Sequence, residues 1–146
     1  MTAPTCELCT LLATDAPVYR GARLSVLMVD DANYPGFCRV VWNAHVKEMG
    51  DLDEIARSEM MNAVWQVELA VREVMAPEKI NLASLGNMTP HLHWHVIPRF
   101  RDDAHFPSPV WAQAVRATDP AILQARRALL PQLRAALLRR LPEPTF

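Results

Sequence analysis

Three of the chain's five histidines fall within five residues, His91-Leu92-His93-Trp94-His95, and Val96-Ile97 follow them. In a β-strand alternate side chains share a face, so the spacing predicts a strand with three imidazoles on one side and Leu92, Trp94 and Val96 turned into a core. Such a row can ligate a metal, carry acid-base or nucleophilic chemistry, or form a buried hydrogen-bonded network. The last needs a partner for every ring, which makes it the costliest to build. Neutral imidazole attacks phosphorus readily near pH 7 and leaves again, so a nucleotidyl-histidine divides one hard displacement into two easier ones. The middle ring, His93, is the natural attacker, with one nitrogen facing phosphorus and the other donating to a fixed acceptor. His95 would then donate to a phosphate oxygen or to the leaving atom, and loop N–H groups around Gly86 and Asn87 would meet the remaining charge.

A second constellation is Cys6-x-x-Cys9. Structural zinc takes four sulfur or nitrogen ligands, and His45 and His91 would complete a Cys₂His₂ set; the other reading is a pair of free thiols near a flexible end. Cys38, in an apolar stretch, reads as core.

The elements that must hold these residues follow from pattern. Apolar runs at Val18–Arg20 and Leu24–Val29 flank Gly21, so a hairpin opens the fold, and Phe37–Trp42 forms a third strand after a turn-rich loop at 30–36. Asp51 reads as a helix N-cap with Glu54 three residues on, and Pro77 ends that helix at Ala76. Its stripe of Leu52, Ile55, Met60, Val64, Val67, Val71, Val74 and Met75 suits packing on a sheet, with Trp65 also assigned to the core. Ile80–Leu85 and His91–Ile97 are antiparallel strands around a loop at 86–90, the second closed by Pro98. Residues 101–118 form a surface loop. A helical tail spans 119–141, capped by Asp119-Pro120 and bent or restarted at Pro131, with Leu129, Leu130, Leu133, Leu137, Leu138 and Leu141 on one side and its arginines in solvent. The 146 residues make one domain, with a core at about 6–100.

The run HLHWHVI resembles the signature of the histidine triad (HIT) superfamily of nucleotide hydrolases and transferases, and the likeness extends from Cys6 through Asp30, His45 and Asn81 to the triad. The resemblance implies an α+β fold: an antiparallel sheet with one long helix packed on it and a C-terminal helical tail. It also implies a homodimer acting on a purine nucleotide substrate. By position His93 resembles the nucleophile, His95 the residue that binds the α-phosphate and His91 the supporting first histidine. Asp30 is similar to the acceptor for the ribose hydroxyls, a role open to any carboxylate that can take two donors. Asn81 resembles the asparagine before the phosphate loop. Some members hold zinc with two cysteines, a histidine before the helix and the first triad histidine, which here are Cys6, Cys9, His45 and His91; the metal is then structural. The chain departs from the commoner pattern at Gly86-Asn87-Met88-Thr89-Pro90, where many members carry Gly-Gln-Ser or Gly-Gln-Thr. Met88 takes the hydroxyl position, leaving Thr89 and Asn87 as the polar candidates. Trp42-Asn43 replaces the usual Pro-Lys.

Composition bounds the alternatives. A net charge of -1 leaves no broad basic surface, so nucleic acid is not expected as the main partner. No apolar run is long enough to span a bilayer and the start is unlike a signal peptide, so a soluble cytoplasmic protein is expected, without membrane or organic cofactor. Arg99, Arg101, Phe106 and Trp111 either border a nucleotide pocket or pack on their own sheet. The expected activity is cleavage of a nucleoside 5′-phosphoryl compound (a phosphoramidate, an adenylylated substrate or a dinucleoside polyphosphate) through His93. The competing readings are a zinc-stabilised nucleotide-binding adaptor with incidental turnover, and a hydrolase using the histidine row to hold a catalytic ion.

Overall fold

The computed structural model describes residues 5–143, so the outermost residues of the expected 1–146 domain lie outside it. Five antiparallel strands, β1 (Tyr19–Arg20), β2 (Leu24–Met28), β3 (Cys38–Trp42), β4 (Lys79–Ala83) and β5 (His93–Arg99), lie in the order β1-β2-β3-β5-β4. The helices are α1 (Glu7–Leu12), α2 (Glu54–Met75), α3 (Pro120–Arg127) and α4 (Leu130–Arg140). This is the expected α+β architecture: one long helix, α2, lies on the sheet, and α4 packs on α2.

One face of the sheet is the core. Val26, Val40, Trp94 and Val96 meet Met60, Val64, Val67 and Val71 of α2, with Leu133 and Leu137 of α4 beyond them. The α2 stripe is therefore the expected one in its middle but not at its edges. Ile55 is 74% exposed and Trp65 54% exposed, while Ala56, Ala63 and Ala70 take the buried positions. Alanine lets helix and sheet approach closely, and the wider side chains fall off the contact line.

Several boundaries shift for local reasons. The N-cap of α2 is Asp53, whose carboxylate accepts from Ala56 N at 2.8 Å; Asp51 instead closes a short 3₁₀ turn, accepting from Lys47 N and Glu48 N. The helix ends as expected at Ala76, which adopts φ 49°, ψ 51°, the left-handed conformation that stops a helix before Pro77. Pro98 does not close the triad strand: β5 continues to Arg99, because pairing with β3 ends at Val96 and no donor on that side is needed at 98. His91 precedes β5 rather than belonging to it.

The chain opens on α1, not on a hairpin. Six residues are too few to announce themselves by periodicity, and Cys6 caps them, accepting from Cys9 N. In the tail, Asp119 caps α3 and Pro131 stands in the first turn of α4, so the restart falls at 128–129. Leu138 is exposed, unlike its neighbours Leu137 and Leu141. Three tail arginines are not simply solvated: Arg126 pairs with Asp102 and lies 3.5 Å over the Phe100 ring, and Arg139 and Arg140 both reach Glu73 on α2.

Candidate functional site

The sheet face away from α2 carries the candidate residues. Alternation and register put Arg39 and Val41 of β3, and Phe37 just ahead of it, beside His93 and His95 of β5, with Asn81 and Ala83 of β4 beyond; the direct pairs are Val41 with His93, Arg39 with His95 and Ala83 with His95. α1 covers part of this face, Leu8, Cys9 and Leu12 packing on Leu27 and Val41.

The three histidines divide into two groups by their contacts. His91, fully buried and just ahead of the strand, donates Nε2–H to the Trp42 carbonyl at 2.6 Å, so Nδ1 holds the lone pair. That Nδ1 lies 3.4 Å from Cys6 Sγ, 3.5 Å from Cys9 Sγ and 3.2 Å from His45 Nδ1; Cys9 Sγ is 3.4 Å from His45 Nδ1. A tetrahedral ion about 2.3 Å from sulfur and about 2.0 Å from nitrogen sets its ligands roughly 3.3–3.7 Å apart. The four donor atoms, all within 4.8 Å of one another, therefore match a Cys₂His₂ metal site, with Trp42 orienting one ligand from behind. The cluster unites the four residues singled out from sequence, and Cys38 lies apart in the core, its thiol pushed up to about 12 by burial.

His93 and His95 form the other unit. Their rings meet edge to face with centroids 4.8 Å apart. His93 donates Nδ1–H to the His91 carbonyl at 2.6 Å, which leaves its Nε2 as the lone-pair nitrogen, the tautomer a nucleophile requires. Ser84 Oγ donates to the His93 carbonyl at 2.7 Å and fixes that backbone. Burial holds the His93 imidazole below its ordinary value, opposed by the bond to His91. His95 is lowered to about 4 by burial first, then by His93 and Arg39, so it is neutral at pH 7. The two residues are 5% and 6% exposed. Among the described residues, the sealed polar atoms without a partner on this face are His95 Nδ1 and Arg39 Nε; neither Nε2 is among them.

The remaining sequence candidates are placed less uniformly. Asn81 shares the histidine face, but its Oδ1 accepts from Arg99 Nη1 at 2.6 Å. Asp30 lies exposed just past β2. Asn87 and Met88 are exposed, Met88 at 95%, and Thr89 is half-buried with its carbonyl accepting from His91 N. Asn43, in the place of the usual lysine, bridges Ser25 Oγ and the Gly21 carbonyl.

The loop after β5 answers to both of its readings. Arg99 is buried, bound to Asp103 through two nitrogens, to the Ser108 carbonyl and to Asn81. Asp103, 1% exposed, also accepts from the backbone of Phe100, His105 and Phe106, so the loop is anchored inward rather than merely surface. Trp111, by contrast, borders the site, its ring 5.1 Å from that of His95. Two residues of this face were not singled out from sequence, Phe37 and Arg39. The signal for Arg39 was a lone charge inside the otherwise apolar strand Cys38-Arg39-Val40-Val41-Trp42.

A histidine pair on the open face of an antiparallel sheet, backed by a Cys₂His₂ cluster, defines a class of protein. The HIT domain family model matches residues 12–102, and the chain belongs to that family. It is 29% identical over 102 residues to the AP-4-A phosphorylase of Mycobacterium tuberculosis (strain ATCC 25618 / H37Rv), an alignment covering 66% of this chain and 51% of that protein. The chain thus spans about half the length of the curated relatives it matches. Among solved structures, a histidine triad protein from Bradyrhizobium japonicum is 33% identical with TM-score 0.66, covering 85% of this chain and 88% of that one. A Zn-bound histidine triad family protein from Mycobacterium smegmatis shares the fold at 21% identity and TM-score 0.64, covering 92% and 94%.

Proposed function

We propose that the chain is a nucleotide hydrolase or nucleotidyl transferase that cleaves a nucleoside 5′-phosphoryl compound through a covalent intermediate on His93. The observation that carries this reading is the 2.6 Å bond from His93 Nδ1–H to the His91 carbonyl, which turns the Nε2 lone pair away from the backbone. In the proposed sequence Nε2 attacks the α-phosphorus, the bond from phosphorus to the leaving group breaks with its electron pair, and the ring's growing positive charge is met by the His91 carbonyl. Water or another acceptor then attacks the same phosphorus from the opposite side, its proton passes to solvent as the new P–O bond forms, and the P–N bond breaks so that His93 leaves as neutral imidazole. His95, neutral and beside His93, would donate a hydrogen bond to an α-phosphate oxygen. Asp30 would accept from the ribose hydroxyls, Asn81 and the Asn87–Thr89 loop would line the phosphate path, and His91 would position His93 through its carbonyl. The AP-4-A phosphorylase relative supports an adenine nucleotide with linked phosphates among the substrates.

Cys6, Cys9, His45 and His91 would hold a zinc ion, which when bound ties the N-terminal segment to the sheet and fixes His91. As zinc ligands Cys6 and Cys9 would be thiolates rather than a disulfide, a state that the cytoplasm maintains. β4 is an edge strand with exposed Leu82 and with Trp65 of α2 also exposed, which supports pairing of two copies along that edge.

Incubation with adenylyl and guanylyl compounds followed by mass spectrometry should trap a nucleotide adduct on His93. His93→Ala should lower turnover by about 10³-fold or more while leaving AMP binding within a few-fold. No adduct and no turnover with any such compound would leave the adaptor reading in its place. Turnover that vanishes on chelation with the fold intact would favour a catalytic ion.

A further inference from the structure

We infer that Arg39 is a phosphate-binding residue that makes the site selective for phosphoanhydrides, gripping the phosphate next to the one His93 attacks. The inference rests on the nucleotidyl-transfer reading above and specifies its substrate class.

Three observations converge. Arg39 stands directly opposite His95 in the β3–β5 ladder, so both side chains rise from the same face one strand apart. Its Nε is sealed from solvent without a partner, and among the described residues the guanidinium has neither an ion pair nor a hydrogen bond. The sheet residues flanking it on that face are Phe37, Val41, Leu27, His93 and His95, none of them anionic; the acidic group in play is Glu7 on α1, an exposed carboxylate that is close enough to act on His93 but forms no ion pair with Arg39. Every other buried or half-buried arginine described above is given an acceptor, Arg99 by Asp103 and Arg126 by Asp102. A guanidinium held partly out of water with no acceptor costs stability unless something negative arrives with the ligand. Its planar fork matches a phosphate's paired oxygens.

The second half of the inference concerns the leaving group. Expelling an amine from a phosphoramidate requires a proton, whereas a phosphate departs as an anion. In the loop before the triad Met88 is 95% exposed and unable to donate, the Ser84 hydroxyl is spent on the His93 carbonyl, and the one hydroxyl left there, Thr89, is an alcohol far too weakly acidic to protonate an amine by itself. A fixed cation beside the histidine pair supplies what an anionic leaving group needs instead. His93 Nε2 bonds to the α-phosphorus, the anhydride P–O bond breaks, its electron pair stays on the departing phosphate, and Arg39 pairs with that phosphate; no proton is transferred in the step.

The test uses Arg39→Met and Arg39→Lys in the full chain, with two substrates: diadenosine tetraphosphate, and the p-nitrophenyl ester of AMP, whose leaving group carries no phosphate. Arg39→Met should lose about 10- to 100-fold in kcat/KM on the tetraphosphate, the range for a lost charge-assisted bond, and less than a few-fold on the ester. Arg39→Lys should restore part of the loss. Equal losses on both substrates, or none on either, would overturn the inference. Binding separates it from the reading beneath it: in a His93→Ala background ADP should bind more tightly than AMP, and Arg39→Met should erase that difference. Were wild type to turn over neither substrate, the enzymatic reading would fail, while a preference for ADP that survives Arg39→Met would refute the role of Arg39 by itself. Near-ultraviolet circular dichroism of each variant shows whether the fold is kept.

Discussion

The Nδ1 atoms of His45 and His91 face each other at 3.2 Å, although His91 has already committed its ring proton, through Nε2, to the Trp42 carbonyl. Two imidazole nitrogens and two sulfurs converging on one point repel unless a proton or a cation lies between them. The cluster is therefore expected to bind one zinc ion per chain. Cys9→Ser should lower zinc content below a tenth of an equivalent, read by atomic absorption, and destabilise the fold by roughly 4 kcal/mol or more, the size that marks a lost metal site. Full stability in a metal-free preparation would contradict this.

Arg99 and Asp103 form a pair whose side chains are only 3% and 1% exposed, and the loop that carries Trp111 to His95 hangs from it. Against the cost of its own burial, the Arg99 bond and three backbone N–H donors hold the Asp103 carboxyl down at about 2, from an ordinary 3.8. A folded value below the unfolded one means stability that is present above about pH 4 and lost as pH falls toward 2, worth roughly 2 kcal/mol. Asp103→Asn should flatten the acid limb of a pH–stability curve in that window. Asp103→Ala should cost more, about 3–5 kcal/mol, because it strands a buried guanidinium. An unchanged acid limb in Asp103→Asn would show that the carboxylate is not tuned by these contacts.

What the sequence made legible follows from how local each signal is. The alternation of His93, Trp94, His95 and Val96 reads correctly because a strand sorts its faces every second residue, and the Asp119-Pro120 cap reads because it is a contact between near neighbours. Asp51 misled because two aspartates lie two residues apart and only the backbone course decides which caps α2. Arg39 showed in the sequence only as a lone charge in an apolar strand. Its meaning lies in what stands opposite on β5, more than fifty residues away, and a register is a tertiary fact. That His91 joins the cysteines was legible from the Cys₂His₂ set, but that its ring leaves the face of His93 and His95, turned by the Trp42 carbonyl, was not.

α4 is expected to be part of the core rather than an appendage. Leu133 is completely buried between α4 and α2. Leu133→Ala should cost about 2–5 kcal/mol in urea unfolding, as for other fully buried leucines. Arg139→Ala, which removes one exposed partner of Glu73, should cost under about 1 kcal/mol. Equal effects of the two would mean that the tail is held by charge instead of packing.

His95 sets the behaviour between those acid effects and neutrality. Its folded value, about 4, lies below the ordinary 6.5 because burial, His93 and Arg39 all disfavour the imidazolium. As pH drops below 6.5 the unfolded chain takes up this proton while the folded protein does not, so stability that is complete above 6.5 declines until about pH 4. The contribution reaches roughly 3 kcal/mol at the bottom of the window. His95→Asn should reduce the slope of stability against pH between 6.5 and 4, measured by chemical unfolding at half-unit steps, and should leave the region below 4 to Asp103. A slope identical to wild type would mean that His95 titrates normally in the folded protein, and that the neutral donor required beside His93 is not secured by the burial seen here.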